Sequence, residues 1–574
     1  MTNTSKLSAM VASRATPALL MVLALFLPLA QAQLSTENSQ LWTQESSGIP
    51  GESAVGDLFG MSFAEGDFNN DGFTDLAVGM PQKTVEVDDG AGGTDSFAGA
   101  GQVLVLYGSA NRLTSTGVQV FTQATADVQG DAETNGLFGF ALAASDFNGD
   151  GFADLAASAV QATVSGSNGA GAVIVLNGSP GGLTATDSQI WTQDSPEIIG
   201  ASEPGDFFGI SLAAGDFNGD SSPDLAIGVR GEDVGTPAVT NAGAVAVLYA
   251  ASGGLSADGN QFWSQDSPGI RGAPEANDLF GRSLAPGDFN NDGFHDLAIG
   301  VPNEAVGALA SAGAVNVIYG SAAGLTAAGD QLWFQDVTGI MDASEAGDLF
   351  GFSVEAADFN SDGFGDLAIG VPSEDVNGQA GAGAVNVIYG SSVVGLAARG
   401  NQFLTSDNAF ANALEAGDDY GRTLTSGDFN NDGFKDLAVG GPLEDVGAII
   451  DSGAVSVVYG SGLGGLTAQG AQSWQQNTAG VADQAEANDR FGGGGISSNV
   501  ETTPLAAGDF NGDRFLDLII GVPNEDFEDP DVGSIANSGA FHVLYGGLNV
   551  GAELEQALQD LQGVVNQLGQ IPVP

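Results

Sequence analysis

Short apolar runs, each closed by a glycine or by a cluster of Asp, Asn and Gly, recur along most of the chain. Runs such as Asp296-Leu297-Ala298-Ile299-Gly300-Val301-Pro302 and Gly313-Ala314-Val315-Asn316-Val317-Ile318-Tyr319-Gly320 are too short for helices and rich in β-branched residues, which predicts strands. Each repeating unit holds four. An aromatic-Gly pair opens it, at Phe59-Gly60, Phe138-Gly139, Phe208-Gly209, Phe280-Gly281, Phe350-Gly351, Tyr420-Gly421 and Phe491-Gly492. A small-residue strand leads into an Asp-rich loop, and an apolar strand leaves it. The third strand starts at Gly and in most copies ends at Tyr-Gly, and the fourth alternates around an aromatic, as in Gln331-Leu332-Trp333-Phe334-Gln335. All five tryptophans, Trp42, Trp191, Trp263, Trp333 and Trp474, fall in this fourth element. Four short strands with glycine-rich turns form a propeller blade.

The register of the repeats adds closure. A fourth-type strand, Gln40-Leu41-Trp42-Thr43-Gln44, precedes any complete unit, and the last unit ends after its third strand near Tyr545. Lending that first strand to the last blade leaves no open sheet edge. The expected fold is all-β, a seven-bladed β-propeller of four-stranded antiparallel blades over residues 33–549, closed by an N-terminal strand. Two insertions, Gln82 to Ala100 and Gly493 to Thr503, interrupt blades one and seven. After Gly551, Leu554, Leu558, Leu561, Val565 and Leu568 make one apolar seam, which predicts a short amphipathic helix within 550–574. It would dock on the rim or permit self-association with a second chain.

The Asp-rich loops carry the candidate chemistry. In the first, Asp67, Asn69, Asp71 and Asp75 stand at positions 1, 3, 5 and 9, Gly72 holds the turn at position 6, and Phe73 offers its carbonyl at position 7. Alternating Asp and Asn around a sharp turn supply the oxygen ligands of a hard cation such as Ca²⁺. A single copy could as well be an Asx turn. Six more copies follow, each 70 to 81 residues after the last: Asp146, Asn148, Asp150, Phe152, Asp154; Asp216, Asn218, Asp220, Ser222, Asp224; Asp288, Asn290, Asp292, Phe294, Asp296; Asp358, Asn360, Asp362, Phe364, Asp366; Asp428, Asn430, Asp432, Phe434, Asp436; and Asp509, Asn511, Asp513, Phe515, Asp517. Up to seven Ca²⁺ ions are expected. Ser221 and Arg514 replace the position-6 glycine in the third and seventh loops, where binding should be weakest.

The motif set resembles the FG-GAP repeat family, which includes the N-terminal propellers of integrin α subunits. Phe-Gly, Asp-x-Asn-x-Asp-Gly-x-x-Asp and then Gly-Val-Pro at Gly300-Val301-Pro302, Gly370-Val371-Pro372 and Gly521-Val522-Pro523 carry it, across Gln40 to Gly546. The resemblance implies fold more than function, because the family spans adhesion receptors, secreted bacterial proteins and propellers attached to enzymes such as glycosylphosphatidylinositol-cleaving phospholipase D. On the face opposite the Asp loops, Glu232-Asp233, Glu304, Glu374-Asp375, Glu444-Asp445 and Glu525-Asp526 make a recurring acidic step. It corresponds in position to the integrin ligand face, while its plain structural reading is a set of solvated turns.

Composition narrows the partners. With 72 acidic against 12 basic residues and a formal net charge of −60, the chain repels nucleic acid and anionic membranes. There is no cysteine. Lys6 and Arg14 precede an apolar run from Ala18 to Ala30, and Ala30-Gln31-Ala32 offers a cleavage site, which reads as a signal peptide over residues 1–32 and leaves no membrane span in the mature chain. Export to the extracellular space, periplasm or cell surface is the expectation. The imidazole bases are limited to His295 and His542, each read as exposed or satisfied, and no Gly-x-Ser-x-Gly elbow occurs. The favoured reading is a binding or adhesion module for a protein or glycan. The alternative is a calcium-dependent hydrolase or lyase with its pocket in the central channel, near Arg282 and Arg422.

Overall fold

The second strands of the repeats, for example Asp296–Val301, are buried at every position because each lies between two neighbouring blades. Their alternation of large and small residues fits this. Leu297 and Ile299 pack on Val245 and Val247 of the preceding blade, while Ala298 leaves room for Leu367 and Ile369 of the following one. The computed structural model describes residues 32–548, apart from 89, 91, 393, 411–413, 463, 495–503 and 530–532. The leader, most of the blade-seven insertion and the C-terminal helix expected above lie outside the described residues.

Seven four-stranded antiparallel sheets form the ring. Blade one comprises Ser62–Gly66, Asp75–Met80, Gln102–Tyr107 and Thr114–Phe121, and each later unit repeats that order. In blade seven, Leu505–Gly508, Asp517–Val522 and Ala540–Leu548 are completed by Ala32–Thr43, with Trp42 opposite Phe541 and Leu41 opposite His542. The first strands touch one another in a closed circle, so they line the central channel.

Three rings of hydrogen bonds join the blades. On the Phe-Gly face the aromatic N–H donates to a carbonyl of the preceding blade, as from Phe138 to Ala100, Phe350 to Ala312 and Phe59 to Ser538, and all seven junctions have this bond. Gly313, at the start of a third strand, shows why glycine is needed there: φ is +85° and a Cβ would meet the Phe350 carbonyl at 2.3 Å. At the outer rim a glutamine side chain donates to a leucine carbonyl of the next blade at every junction: Gln40 to Leu113, Gln119 to Leu183, Gln189 to Leu255, Gln261 to Leu325, Gln331 to Leu396, Gln402 to Leu466 and Gln472 to Leu34. The N-terminal strand is thus a full member of the ring. The third ring lies among the Asp loops and is described below.

The blade-one insertion forms a hairpin, Val85–Asp88 with Thr94–Phe97, and blade seven carries a second, Phe527–Asp529 with Gly533–Ile535, that the repeat pattern did not reveal. The two flank the ring closure. A single helical turn, Ser406–Phe410, replaces the usual connection between blades five and six.

Candidate metal loops and the opposite acidic face

Each Asp loop joins the first and second strands of a blade, and its position-2 phenylalanine, Phe68, Phe147, Phe217, Phe289, Phe359, Phe429 or Phe510, is fully buried. That anchor leaves position 5 exposed and positions 1 and 3 half-buried. In blade one, Asp67 accepts the N–H groups of Asp71 at 3.0 Å and Gly72 at 2.8 Å, and Asp71 accepts that of Phe73 at 3.1 Å. The other six loops repeat the bond to the position-6 N–H, including those of Ser221 and Arg514. These bonds fix the orientation of the position-1 and position-5 carboxylates, but among the described residues no loop brings oxygens of its position-1, position-5 and position-9 carboxylates within 4.8 Å of one another.

Position 9 is different. Asp75, Asp154, Asp224, Asp296, Asp366, Asp436 and Asp517 are wholly buried and clamp the loop to its blade. One oxygen accepts the N–H that follows the third strand, from Gly108 at 2.9 Å in blade one, and the other accepts the position-2 N–H, from Phe68 at 3.0 Å. Blade two departs from this, because the Asp154 Oδ1 takes both Gly178 and Asn148 while its Oδ2 has no partner. Burial, and then the neighbouring carboxylates, push these groups up, Asp75 to about 7, Asp366 to about 8 and Asp517 to about 9.

The donor set fits a hard cation. Asn290 and Asn360, at position 3 of the fourth and fifth loops, are enclosed with Oδ1 facing no donor, as is Asp154 Oδ2. Enclosed oxygens without a hydrogen-bond partner cost free energy unless something positive meets them. Residues at positions 1, 3, 5 and 9 of each loop would hold Ca²⁺, with the position-7 carbonyl beside them.

The loops are also tied to one another. The position-8 N–H donates to the position-1 carbonyl of the preceding loop: Thr74 to Asp509, Ala153 to Asp67, His295 to Asp216, Gly365 to Asp288, Lys435 to Asp358 and Leu516 to Asp428. Only Pro223, which has no N–H, breaks the circle. His295 is exposed as expected, and its Nδ1 accepts the Asp216 N–H at 3.2 Å. His542 corrects the expectation. It is 1% exposed beside Phe491, neither ring nitrogen has a partner, and burial lowers its pKa to about 4. The middle of a third strand faces neighbouring blades on both sides, so no water reaches it.

The acidic step also differs from solvated turns. Glu232, Glu304, Glu374 and Glu525 are buried, each accepting a side-chain N–H from a glutamine two residues after a fourth-strand tryptophan: Gln193, Gln265, Gln335 and Gln476. The adjoining Asp233, Asp375, Asp445 and Asp526 accept backbone N–H groups of their own loops. A third acid joins them, the aspartate two residues before the aromatic of the Phe-Gly pair, at Asp206, Asp278, Asp348, Asp418 and Asp489. Sequence reading missed this Gln and Asp, although both recur with the blade period. Burial, then mutual repulsion, raises Glu374 to about 8, Asp348 to about 6 and Glu444 to about 8.

The central channel holds a cavity of about 490 Å³ lined by Glu65, Glu355, Arg282, Arg422, Lys435 and Phe352. The two guanidinium groups lie over the Phe352 ring at 4.6 and 4.9 Å, and Arg422 pairs with Asp419 at 2.6 Å. Glu355 is half-buried in the channel, and desolvation there pushes it up to about 7, whereas Glu65 is exposed to the channel's solvent.

Fold and loops together define a seven-bladed propeller with an Asx-rich loop on every blade. The chain belongs to the FG-GAP repeat family, whose model matches seven times, at residues 59–106, 138–176, 208–248, 280–318, 350–388, 420–458 and 505–544. Similar proteins include phosphatidylinositol-glycan-specific phospholipase D of Bos taurus, 31% identical over 31% of this chain and 20% of that protein, and integrin alpha-PS2 of Drosophila melanogaster, 34% identical over 31% of this chain and 12% of that protein. The chain therefore spans a fifth or less of the length of these relatives. Among solved structures, the rhamnogalacturonan lyase PL11 of Bacillus licheniformis is 12% identical, covering 90% of this chain and 75% of that one at a TM-score of 0.36. At that score the likeness carries no argument about function.

Proposed function

We propose that the protein is a secreted binding or adhesion module whose Asp loops hold Ca²⁺ and whose opposite face engages a protein or glycan. The observation that carries this reading is the sevenfold array of loop oxygens, held by the same backbone bonds in each blade and left partnerless at Asn290, Asn360 and Asp154. Calcium there stiffens one face, and the loops of the other face, with hairpins at the ring closure, are presented on a rigid scaffold. The similarity to integrin α subunits agrees with this. The test is binding of immobilised protein to panels of extracellular proteins and glycans, in Ca²⁺ and in chelator. Saturable, calcium-dependent binding without product is expected, and turnover of a panel member would contradict it.

A second reading rests on the channel cavity, where Arg282, Arg422, Glu65 and Glu355 gather. A calcium-dependent hydrolase or lyase would use such a group of charges. Release of product from a polysaccharide or glycolipid, lost on Glu355→Gln, would favour it.

A further inference from the structure

We propose that the Phe-Gly face carries a divalent-cation site of its own at the junction of blades four and five, formed by Gln335, Glu345, Asp348 and Glu374 and separate from the Asp loops. The carboxylates of Glu345, Asp348 and Glu374 each bring one oxygen within 4.8 Å of the others. Acidic residues alone would not make a site. The second observation is Gln335, which is 1% exposed and donates through Nε2 to Glu374 Oε2 at 2.5 Å. With Nε2 committed to Glu374, the buried Oε1 of the same amide meets no donor. Gln193, Gln265 and Gln476 repeat the arrangement with the same orphaned oxygen.

Blade one shows what the arrangement accepts. Lys83 stands where blade five has Glu374. Its N–H donates to Met80 as that of Glu374 donates to Val371, and its carbonyl accepts Gly101 as that of Glu374 accepts Gly383. Gln44 and Asp57 are the counterparts of Gln335 and Asp348. The Lys83 ammonium lies 2.6 Å from Gln44 Oε1, 2.6 Å from Asp57 Oδ2 and 2.6 Å from the Glu52 carbonyl. The same amide oxygen and the same aspartate therefore surround a cation that the chain itself supplies. Replacing that lysine by glutamate removes the internal cation and adds a carboxylate. In blade five the exposed Glu345 adds another, where blade one has Ala54. Three carboxylates and an amide oxygen are hard ligands suited to Ca²⁺ or Mn²⁺, and the exposed Glu345 gives the ion a way in from solvent.

The test is a calcium count by equilibrium dialysis on the full chain, comparing the native protein with Glu374→Lys and with Asp358→Asn, which alters only the blade-five Asp loop. Glu374→Lys should restore the blade-one arrangement: it binds one Ca²⁺ fewer per chain, and in chelator it melts no lower than the native protein. Equal counts for the native protein and Glu374→Lys would overturn the proposal while leaving the loops intact. A native protein that binds no calcium would overturn both this proposal and the loop reading. If Glu374→Lys does not fold, the count for Glu374→Gln decides, with a loss of one ion expected and no loss contradicting the site. Asp358→Asn should lose its own ion whatever residue stands at 374.

Discussion

Position 6 of the Asp loop is left-handed in every copy, with φ of +91° at Gly72, +90° at Gly293, +72° at Ser221 and +75° at Arg514. Glycine adopts this conformation freely, whereas a side chain there costs about 1 kcal/mol. Nothing crowds the Gly72 position, since a Cβ there would meet no atom within 4 Å. The cost in the third and seventh loops is therefore backbone strain alone. Ser221→Gly and Arg514→Gly should each stabilise the protein by about 1 kcal/mol, read by denaturant unfolding, and each should tighten calcium binding at its own loop. A neutral or destabilising result would mean that Ser221 or Arg514 makes a compensating contact.

At the scale of the strand, the N-terminal segment Ala32–Thr43 is the element on which the closed ring depends. It pairs along Ala540–Leu548, and its Leu34 and Gln40 complete the glutamine girdle at the rim. Deleting residues 33–43 would expose that edge, an open template for pairing with another chain. Such a variant should self-associate or aggregate, read by size-exclusion chromatography with light scattering, whereas a stable monomer would show that the ring does not need its closing strand. The closure was legible in the sequence because Trp42 carries the fourth-strand pattern ahead of any complete unit. The blade-seven hairpin was not, because a short polar excursion such as Phe527–Ile535 looks like any loop until its two halves pair. Glu374 and His542 were misread for a related reason. Alternation shows which residues lie in a strand or turn, but the glutamine that folds over Glu374 comes from another blade and 39 residues away. The ring of backbone bonds between the Asp loops leaves no side-chain signature, except where Pro223 breaks it.

For the molecule as a whole, many carboxylates buried on both faces dominate the electrostatics. Without metal, the position-9 aspartates, the glutamates Glu232, Glu374, Glu444 and Glu525, and the aspartates Asp206, Asp278, Asp348, Asp418 and Asp489 have folded pKa values raised to about 6 to 10, well above their unfolded values. A raised carboxyl pKa means that the folded state binds protons more readily, so stability falls as pH rises from about 4 through the folded values. In chelator, lowering the pH from 8 to 5.5 should therefore raise the melting temperature. His542, with its lowered pKa, opposes this gain below about pH 6.5 but is a single group against more than a dozen. In excess Ca²⁺ the dependence should flatten or reverse, because protons and metal compete for the same oxygens. A melting temperature that falls on acidification in chelator would contradict the assignment of these groups as buried acids without a countercharge.

A metal held by the folded chain and not by the unfolded one raises stability in proportion to the logarithm of its concentration, about 2.7 kcal/mol per site at a hundredfold excess over Kd. The decisive measurement is thermal unfolding with Ca²⁺ and after chelation, with bound calcium counted on the same sample. Five or more ions per chain and a large fall in melting temperature on chelation are predicted. Little bound calcium and an unchanged melting curve would mean that the seven Asp loops are ordinary turns.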